Sequence, residues 1–481
     1  MYQNTKKNSK SLLAIILTLL MFTLTACSNK AGDSKSVSTD NKGEAKKIVA
    51  TKIEKDKVYV SLKGAFEYVG GKCIIDGKNA TATNEKDTIK VNSESKEAYI
   101  NSTKVEIKDM PIVKKDDVYV PIEFLNEVLD AKVTYNKENK TLDIRKEMPL
   151  KYSKGFSVKY LKGGLKKVID GDKRTLILVP KGKEVPEEYK NETVINIPMN
   201  NVLAASTTQG CLLRAIQEIP SIAAVTTKQD QWQVSEVAEG MKNGKIKYVG
   251  KNTAPDYEKI SSLKPSMAFV YSGTYGLHPM MKKFDELKIK YAINNEYLEE
   301  DPFGRMEWIK FIAAFYDKED LAEKYFDDAV KKAEKTTKKI ANDKKPKVAW
   351  GMVYKGKVYV PKPDSYVGKM IDMADGDYVF KNEKIINGTV TLEEFYAKAK
   401  DADILIYSSL NQNSPTLKSV IDQAPILEKI KPVTDKKVWC FNPDYYQSVD
   451  KTDELITDLA AIFHSDMYKG YNVKHYIKYT K

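Results

Sequence analysis

A chain of 481 residues, 42% of them hydrophobic, is long enough to build two or three domains. Its formal net charge is +13, but the lysines are interleaved with Asp and Glu as on a solvated surface, and the basic clusters with spaced aromatics of a nucleic-acid binder are absent. Four widely separated cysteines exclude a disulfide framework and a Cys-based zinc site, and three histidines leave little material for acid–base catalysis.

The chain opens on Lys6, Lys7 and Lys10, followed by an apolar run over 12–24. That run is 13 residues long, short of the roughly 20 that a membrane-spanning helix needs, and has the layout of a secretory signal. Leu24-Thr25-Ala26-Cys27 resembles the lipobox of bacterial lipoproteins. The resemblance implies that 1–26 is a signal peptide and that the Cys27 thiol is acylated to become the mature N-terminus. Residues 27–46 are rich in Ser, Lys, Gly, Asp and Asn, cannot bury enough surface to offset ordering, and read as a flexible tether. The implied location is the extracellular face of the bacterial cell membrane, lipid-anchored.

Residues 47–148 alternate short β-branched runs with turn residues, and they repeat. Val58-Tyr59-Val60 recurs as Val118-Tyr119-Val120, and each half reads as a strand, a short helix (62–69 and 122–129) and a hairpin such as the one over 132–137. Val118-Tyr119-Val120-Pro121-Ile122, with Lys132-Val133-Thr134-Tyr135 and Thr141-Leu142-Asp143-Ile144, resembles the copper amine oxidase-like N-terminal (stalk) domain. No histidine occurs here, so no copper site is expected. The region reads as a separable spacer or wall-associating module, with 146–154, a polar stretch, as its linker.

From about 150 to 481 the pattern becomes α/β. Buried-type strands are predicted over 175–179, 193–197, 222–225 and 267–271, then 347–350, 403–407 and 437–440. Between the two groups lies one helical stretch over about 303–340, with apolar residues such as Trp308, Phe311, Ile312, Phe315, Leu321, Tyr325 and Ala329 at helical spacing. It could break near 317–320. The fold class expected is α/β, two lobes (about 150–302 and 346–481) joined by one long helix and preceded by a small α+β repeat domain.

Several stretches in order carry a family likeness. Thr207-Thr208-Gln209 precedes Ile219-Pro220-Ser221-Ile222-Ala223-Ala224-Val225, and Tyr257-Glu258-Lys259-Ile260 precedes Leu263-Lys264-Pro265, with Ser266 where the family has Asp. Glu296-Tyr297-Leu298 leads to Pro302, Gly304, Arg305, Glu307 and Trp308. Thr391-Leu392-Glu393-Glu394 precedes Ala402-Asp403-Ile404, and Asn442-Pro443-Asp444-Tyr445-Tyr446-Gln447-Ser448 precedes the last helix. The set resembles the substrate-binding proteins of ABC importers for vitamin B12, haem and ferric siderophores, whose lobes are joined by a rigid helix. The resemblance implies a receptor for an iron chelate (ferric siderophore or haem) or cobalamin, which it delivers to the permease membrane subunits with only modest lobe rotation. It also implies permease-docking acids at Glu258 and at Glu393, with Glu394 as the alternative.

A ligand between the lobes would meet loops leaving the C-terminal strand ends. Those loops carry Trp232, Tyr271, Tyr275, Tyr354, Tyr366 and Tyr446, whose faces can stack on a macrocycle or aryl chelate. Trp232, Tyr275 and Tyr446 are the leading candidates, and Trp439 is expected near the cleft. Arginine is scarce, and Arg305, near the expected cleft, is the candidate for an anionic ligand group. His278 and His464 read as a turn residue and a structural residue. No nucleophile elbow, metalloprotease motif or phosphate-binding glycine loop occurs, so no enzyme, cofactor or resident metal is expected. The alternative function is a non-transport surface adhesin or cell-wall-binding protein.

Overall fold

The computed structural model describes residues 33–37, 48–341 and 343–480. The signal segment, Cys27 and nearly all of the tether lie outside them. No helix among the described residues is long and apolar enough to cross a membrane.

The N-terminal region closes its repeat on itself. Strand Lys57–Ser61 pairs antiparallel with Asp117–Pro121, with Val60 opposite Val120, so the two copies of the Val-Tyr-Val motif are direct neighbours. Each copy runs straight into a short helix, α1 (Leu62–Tyr68) and α2 (Ile122–Val128). A five-stranded antiparallel meander, Lys72–Asp76 to Thr103–Glu106, and the hairpin Lys132–Asn136/Thr141–Arg145 complete it. Phe66, Ile89, Val91, Leu125 and Val133 belong to a core of its own, separate from that of the rest of the chain.

The stretch 146–154, expected to be a linker, is bonded along most of its length. Tyr160 N–H donates to the Lys146 carbonyl (2.9 Å) and Met148 N–H to the Val158 carbonyl (2.8 Å), so the chain leaves one region already paired to the next. Lys310 Nζ donates to the Pro149 carbonyl (3.0 Å). The fully buried Glu307 carboxylate accepts from the amides of Lys151, Tyr152 and Ser153 at 2.8–3.1 Å. Glu299 takes the amides of Lys154 and Gly155 at 3.1 and 2.9 Å. Polar composition alone suggested slack, but these acceptors lie about 150 residues downstream.

Two α/β lobes follow. The first holds a parallel sheet in the order Lys247–Tyr248, Ile222–Val225, Val202–Ala204, Met267–Val270, Tyr291–Ile293. Beside it stands a four-stranded sheet whose Thr175–Pro180 and Thr193–Ile197 strands are parallel. The central strand Val202–Ala204 is only three residues long, below what an apolar run can reveal. Helix α3 (Thr207–Ala215) starts on a capping box of Ser206 and Gln209, and α4 (Tyr257–Leu263) starts on Asp256, whose side chain accepts from Lys259 N–H.

The helical stretch expected over 303–340 breaks where the sequence pointed, near 317–320, into two helices. Helix α5 (Pro302–Ala314) is buried on almost every side, and α6 (Glu319–Ile340) has one buried stripe. Asp317 adopts φ 54°, and Lys318 N–H folds back onto the Ala313 carbonyl (3.1 Å), which ends α5 before α6 begins. In the second lobe Lys347–Tyr354, Ile404–Leu410 and Val438–Phe441 form a parallel centre with antiparallel edges. Helices α7 (Tyr366–Met373), α8 (Leu392–Ala399) and α9 (Thr452–Phe463) belong to it, and α9 packs against α6.

Candidate functional site

Three of the candidate ligand residues converge between α5 and the second lobe. Arg305, one turn into α5, sets its guanidinium carbon 4.3 Å from the centre of the Tyr366 ring, a cation–π contact. Tyr446 stands beside them, and Pro302, Met370, Tyr445, Val449, Thr452 and Leu455 complete the pocket. Pro302 at the first helical position and Asp301 as N-cap, accepting from Phe303 and Gly304 N–H (2.9 and 3.2 Å), direct this end of α5 at the pocket. Lys369 reaches back to Asp301 (3.7 Å) from α7. The free space is small, ≈ 30 Å³, room for little more than water. A ligand of macrocycle size would lie over these rings rather than among them.

Charge at this pocket is poised rather than spent. The buried Nε of Arg305 has no hydrogen-bond partner among the described residues. Glu296 supplies an opposing field from the first lobe: it is 3% exposed, and its burial pushes the carboxyl up, against the Arg305 charge and the hydrogen bond from Thr208. Burial pushes the Tyr446 phenol up to about 12, so the ring stays neutral.

The loop bearing Tyr445 and Tyr446 is held from three sides. Tyr445 stacks on Phe441, with centroids 3.7 Å apart and planes at 7°. Gln447 reaches across to the first lobe, where Nε2 donates to the Gln231 carbonyl and Oε1 accepts from Gln233 N–H, both at 2.8 Å. Arg214 of α3 forks onto Asp450 at 3.0 and 2.7 Å and also donates to the Gln447 carbonyl (3.2 Å). From behind, His475 Nδ1 lies 2.9 Å from Asp444 and its Nε2 3.4 Å from Glu454, while Asp458 accepts from His475 N–H (2.7 Å). Burial opposes a charge on His475. The Asp444 hydrogen bond and the Asp444, Asp458 and Glu454 charges outweigh it and raise the imidazole above its ordinary range.

The other expected aromatics do not join this pocket. Trp232 is 5% exposed, its indole N–H donates to the Thr227 carbonyl (3.2 Å), and its ring fills the space above Gly210, where a Cβ would meet it at 2.7 Å. It packs on α3 with no free face for a ligand, which corrects the expectation. Tyr271 is half-buried, accepts from Asn252 (2.9 Å) and meets Tyr297 edge-on at 5.9 Å. Tyr275 projects from a tight turn, 81% exposed. Tyr354 sits at the tip of the Lys347–Tyr354/Lys357–Tyr359 hairpin, with Lys355 over its ring at 5.2 Å. Trp439 lines a different cavity, with Lys344, Asp403 and Lys437 at the starts of the strands, so it faces away from the cleft. His278 opens a helix and touches the Gly273 carbonyl, and His464 is buried between Asp343 and the Ala374 carbonyl. Among the described residues no group of three or more His, Cys, Asp and Glu could hold a metal.

The two acids expected to dock occupy equivalent positions. Glu258 is the second residue of α4 and Glu393 the second of α8, and both are exposed. Glu394, the alternative, is engaged locally: it accepts from Thr391 N–H (2.8 Å) in a capping box. What sequence reasoning missed is the Gln447 and Arg214–Asp450 seam, whose partners lie 214–236 residues apart and leave no local signal.

Two family models match the chain, copper amine oxidase N-terminal domain over residues 41–144 and periplasmic binding protein over residues 202–445. An uncharacterized lipoprotein of Methanocaldococcus jannaschii is 34% identical over 391 residues, which is 73% of this chain and 92% of the relative. An uncharacterized protein of the same organism is 27% identical over 245 residues, 49% of this chain and 72% of the relative. A solved ABC transporter substrate-binding protein from Listeria monocytogenes is 16% identical, with a TM-score of 0.45 and coverage of 56% of this chain and 99% of that one.

Proposed function

The chain belongs to the periplasmic binding protein family, with a copper amine oxidase N-terminal domain ahead of it, and from that premise we propose a lipid-anchored receptor of an ABC importer. Its cargo is an iron chelate (ferric siderophore or haem) or cobalamin, a ligand that carries an oxyanion group beside a macrocycle or aryl ring. The proposed division is a signal peptide over 1–26, a tether over 27–46, an N-terminal domain over 47–148 and a receptor over 150–481. The name of the Methanocaldococcus jannaschii lipoprotein supports acylation at Cys27 and a place on the outer face of the membrane.

One observation carries the choice of ligand class. Arg305 lies over Tyr366 beside the half-exposed Tyr446, and its buried Nε has no partner. A guanidinium held on an aromatic face offers its outer N–H groups to a carboxylate or other oxyanion, while the rings offer area to a macrocycle or aryl group. Tyr271, Tyr275 and Tyr354 would act as outlying contacts, and Glu258 with Glu393 as the permease-docking pair.

The test is calorimetric titration of the full chain with haem, cobalamin and a ferric catecholate. One of the three should bind, and Arg305→Ala should weaken it about 10–100-fold, the loss of a charged hydrogen bond worth about 1.5–3 kcal/mol. Binding of none at saturating concentration would reject the receptor reading in favour of a surface adhesin or wall-binding protein.

A further inference from the structure

The break between α5 and α6 lies where Lys166 of the first lobe reaches the chain, and beyond it α6 packs on α9 of the second lobe. A rotation that carries α6 along with the second lobe bends the chain here. The first turns of α6 carry Glu319, Asp320 and Glu323, and basic side chains reach them from two directions. From the first lobe, the buried Lys166 Nζ lies 2.6 Å from both Asp317 and Glu319 and donates to the Ala314 carbonyl at 2.8 Å.

The second grip comes from the N-terminal domain. Arg145, at the end of its last hairpin, bridges Asp143 of its own strand through Nε and Glu323 through one terminal nitrogen, which reaches both carboxylate oxygens at 2.8 and 2.7 Å; Lys132, opposite it in that hairpin, lies 2.7 Å from Asp320. The same domain holds the first lobe: Asp87, itself buried, takes both contacts of Lys162 at 2.9 Å, Asp130 accepts from Lys162 N–H (3.1 Å), and Glu127 pairs with Lys183 (2.5 Å). The chain between them is strand-paired at Lys146 and Met148 and pinned by Glu307. Three bodies therefore meet at one break.

We propose that the N-terminal domain is a brace across the hinge, fixed to the first lobe and clasping the start of α6, so that it sets how far the lobes can rotate. Acids in the first turn of a helix also have a local reason to exist, since the helix dipole favours them. That reason does not account for a charge-assisted arginine contact arriving from another domain, nor for a lysine beside it on the paired strand. A spacer with its own core has no need of such contacts to fold. A charged contact shifts the balance between two lobe positions only when it is made in one of them and weakened or lost in the other.

The inference does not depend on the ligand, so its test needs none. Spin labels on exposed Lys242→Cys in the first lobe and Lys418→Cys in the second, in the full chain with Cys27→Ser and Cys73→Ser, report the inter-lobe distance; Cys211 and Cys440 are buried. The parent should give one narrow distance distribution. Arg145→Glu with Lys132→Glu should broaden or shift it, and Arg145→Glu with Glu323→Arg should restore it towards the parent. A distribution with the parent's mean and width in the first variant, with normal melting, would overturn the brace. Should that variant fail to fold, Arg145→Gln is read in the same way, and an unchanged distribution there counts equally against it.

Discussion

Replacing Arg214 by Ala removes one side of the seam that carries the Tyr445–Tyr446 loop. Its partner Asp450 has a side chain 1% exposed, and Arg214 supplies it with two charge-assisted bonds of 3.0 and 2.7 Å. Breaking a buried pair by deleting one partner typically costs about 3–5 kcal/mol, because the other charge is stranded. Some relief comes from Lys451 nearby, so the lower half of that range, about 3–4 kcal/mol, is expected. The cost should also depend on pH. Burial already pushes the Asp450 carboxyl up; the Arg214 hydrogen bond and charge are the largest influences holding it down, ahead of Lys451 and its own backbone N–H, so in the variant it climbs further. A carboxyl raised in the folded state destabilises where it is ionised, and the folded state gains protons as pH falls, so the deficit should shrink from pH 7 towards acid. Urea unfolding followed by tryptophan fluorescence is the assay, since Trp232, Trp308, Trp350 and Trp439 all lie outside the N-terminal domain. A loss below about 1 kcal/mol that does not vary with pH is the value of a solvated pair, and would refute the buried seam.

His475 moves stability with pH in the same direction for a different reason, since here the fold favours the charged form: its folded pKa is raised, so its stabilisation is complete below about pH 6.5 and fades as pH climbs through the folded value. Proteolysis of the Tyr445–Tyr446 loop should therefore accelerate at alkaline pH in the parent, and His475→Gln should abolish that dependence. Charge reversal of the docking pair, Glu258→Lys with Glu393→Lys, should impair uptake by cells while leaving ligand titration of the purified protein unchanged; normal uptake at normal surface levels would remove the docking role. Trp232→Ala should lower stability by about 3–5 kcal/mol as a core truncation without altering the ligand titration, and an intact melting curve with lost binding would return Trp232 to the site.

Legibility in the sequence followed the range of the interaction. Ile222–Val225 could be read to its ends because it is a central strand of a parallel sheet and hence a continuous apolar run. The α5 start was visible in Pro302, a local device. Arg305, Tyr366 and Tyr446 could each be nominated singly, but their convergence depends on how α5 meets α7. Trp232 was rightly put in a loop at a strand end, yet whether its ring faces the cleft or folds onto α3 is decided by Gly210, whose missing side chain makes the room. The linker was misread for the same reason, its acceptors being Glu307 and Glu299 far downstream.

Glu307 has a consequence for how such a chain can evolve. One carboxylate receives three successive amides, Lys151 to Ser153, while Lys310 fixes the carbonyl of Pro149 two residues earlier. The spacing between the last N-terminal hairpin and the first strand of the first lobe is thus measured against a helix. A single inserted or deleted residue there would shift the amides out of register with the acid and strand it in the core. Interdomain segments are where chains usually tolerate changes of length; here the junction should be among the places least able to accept one.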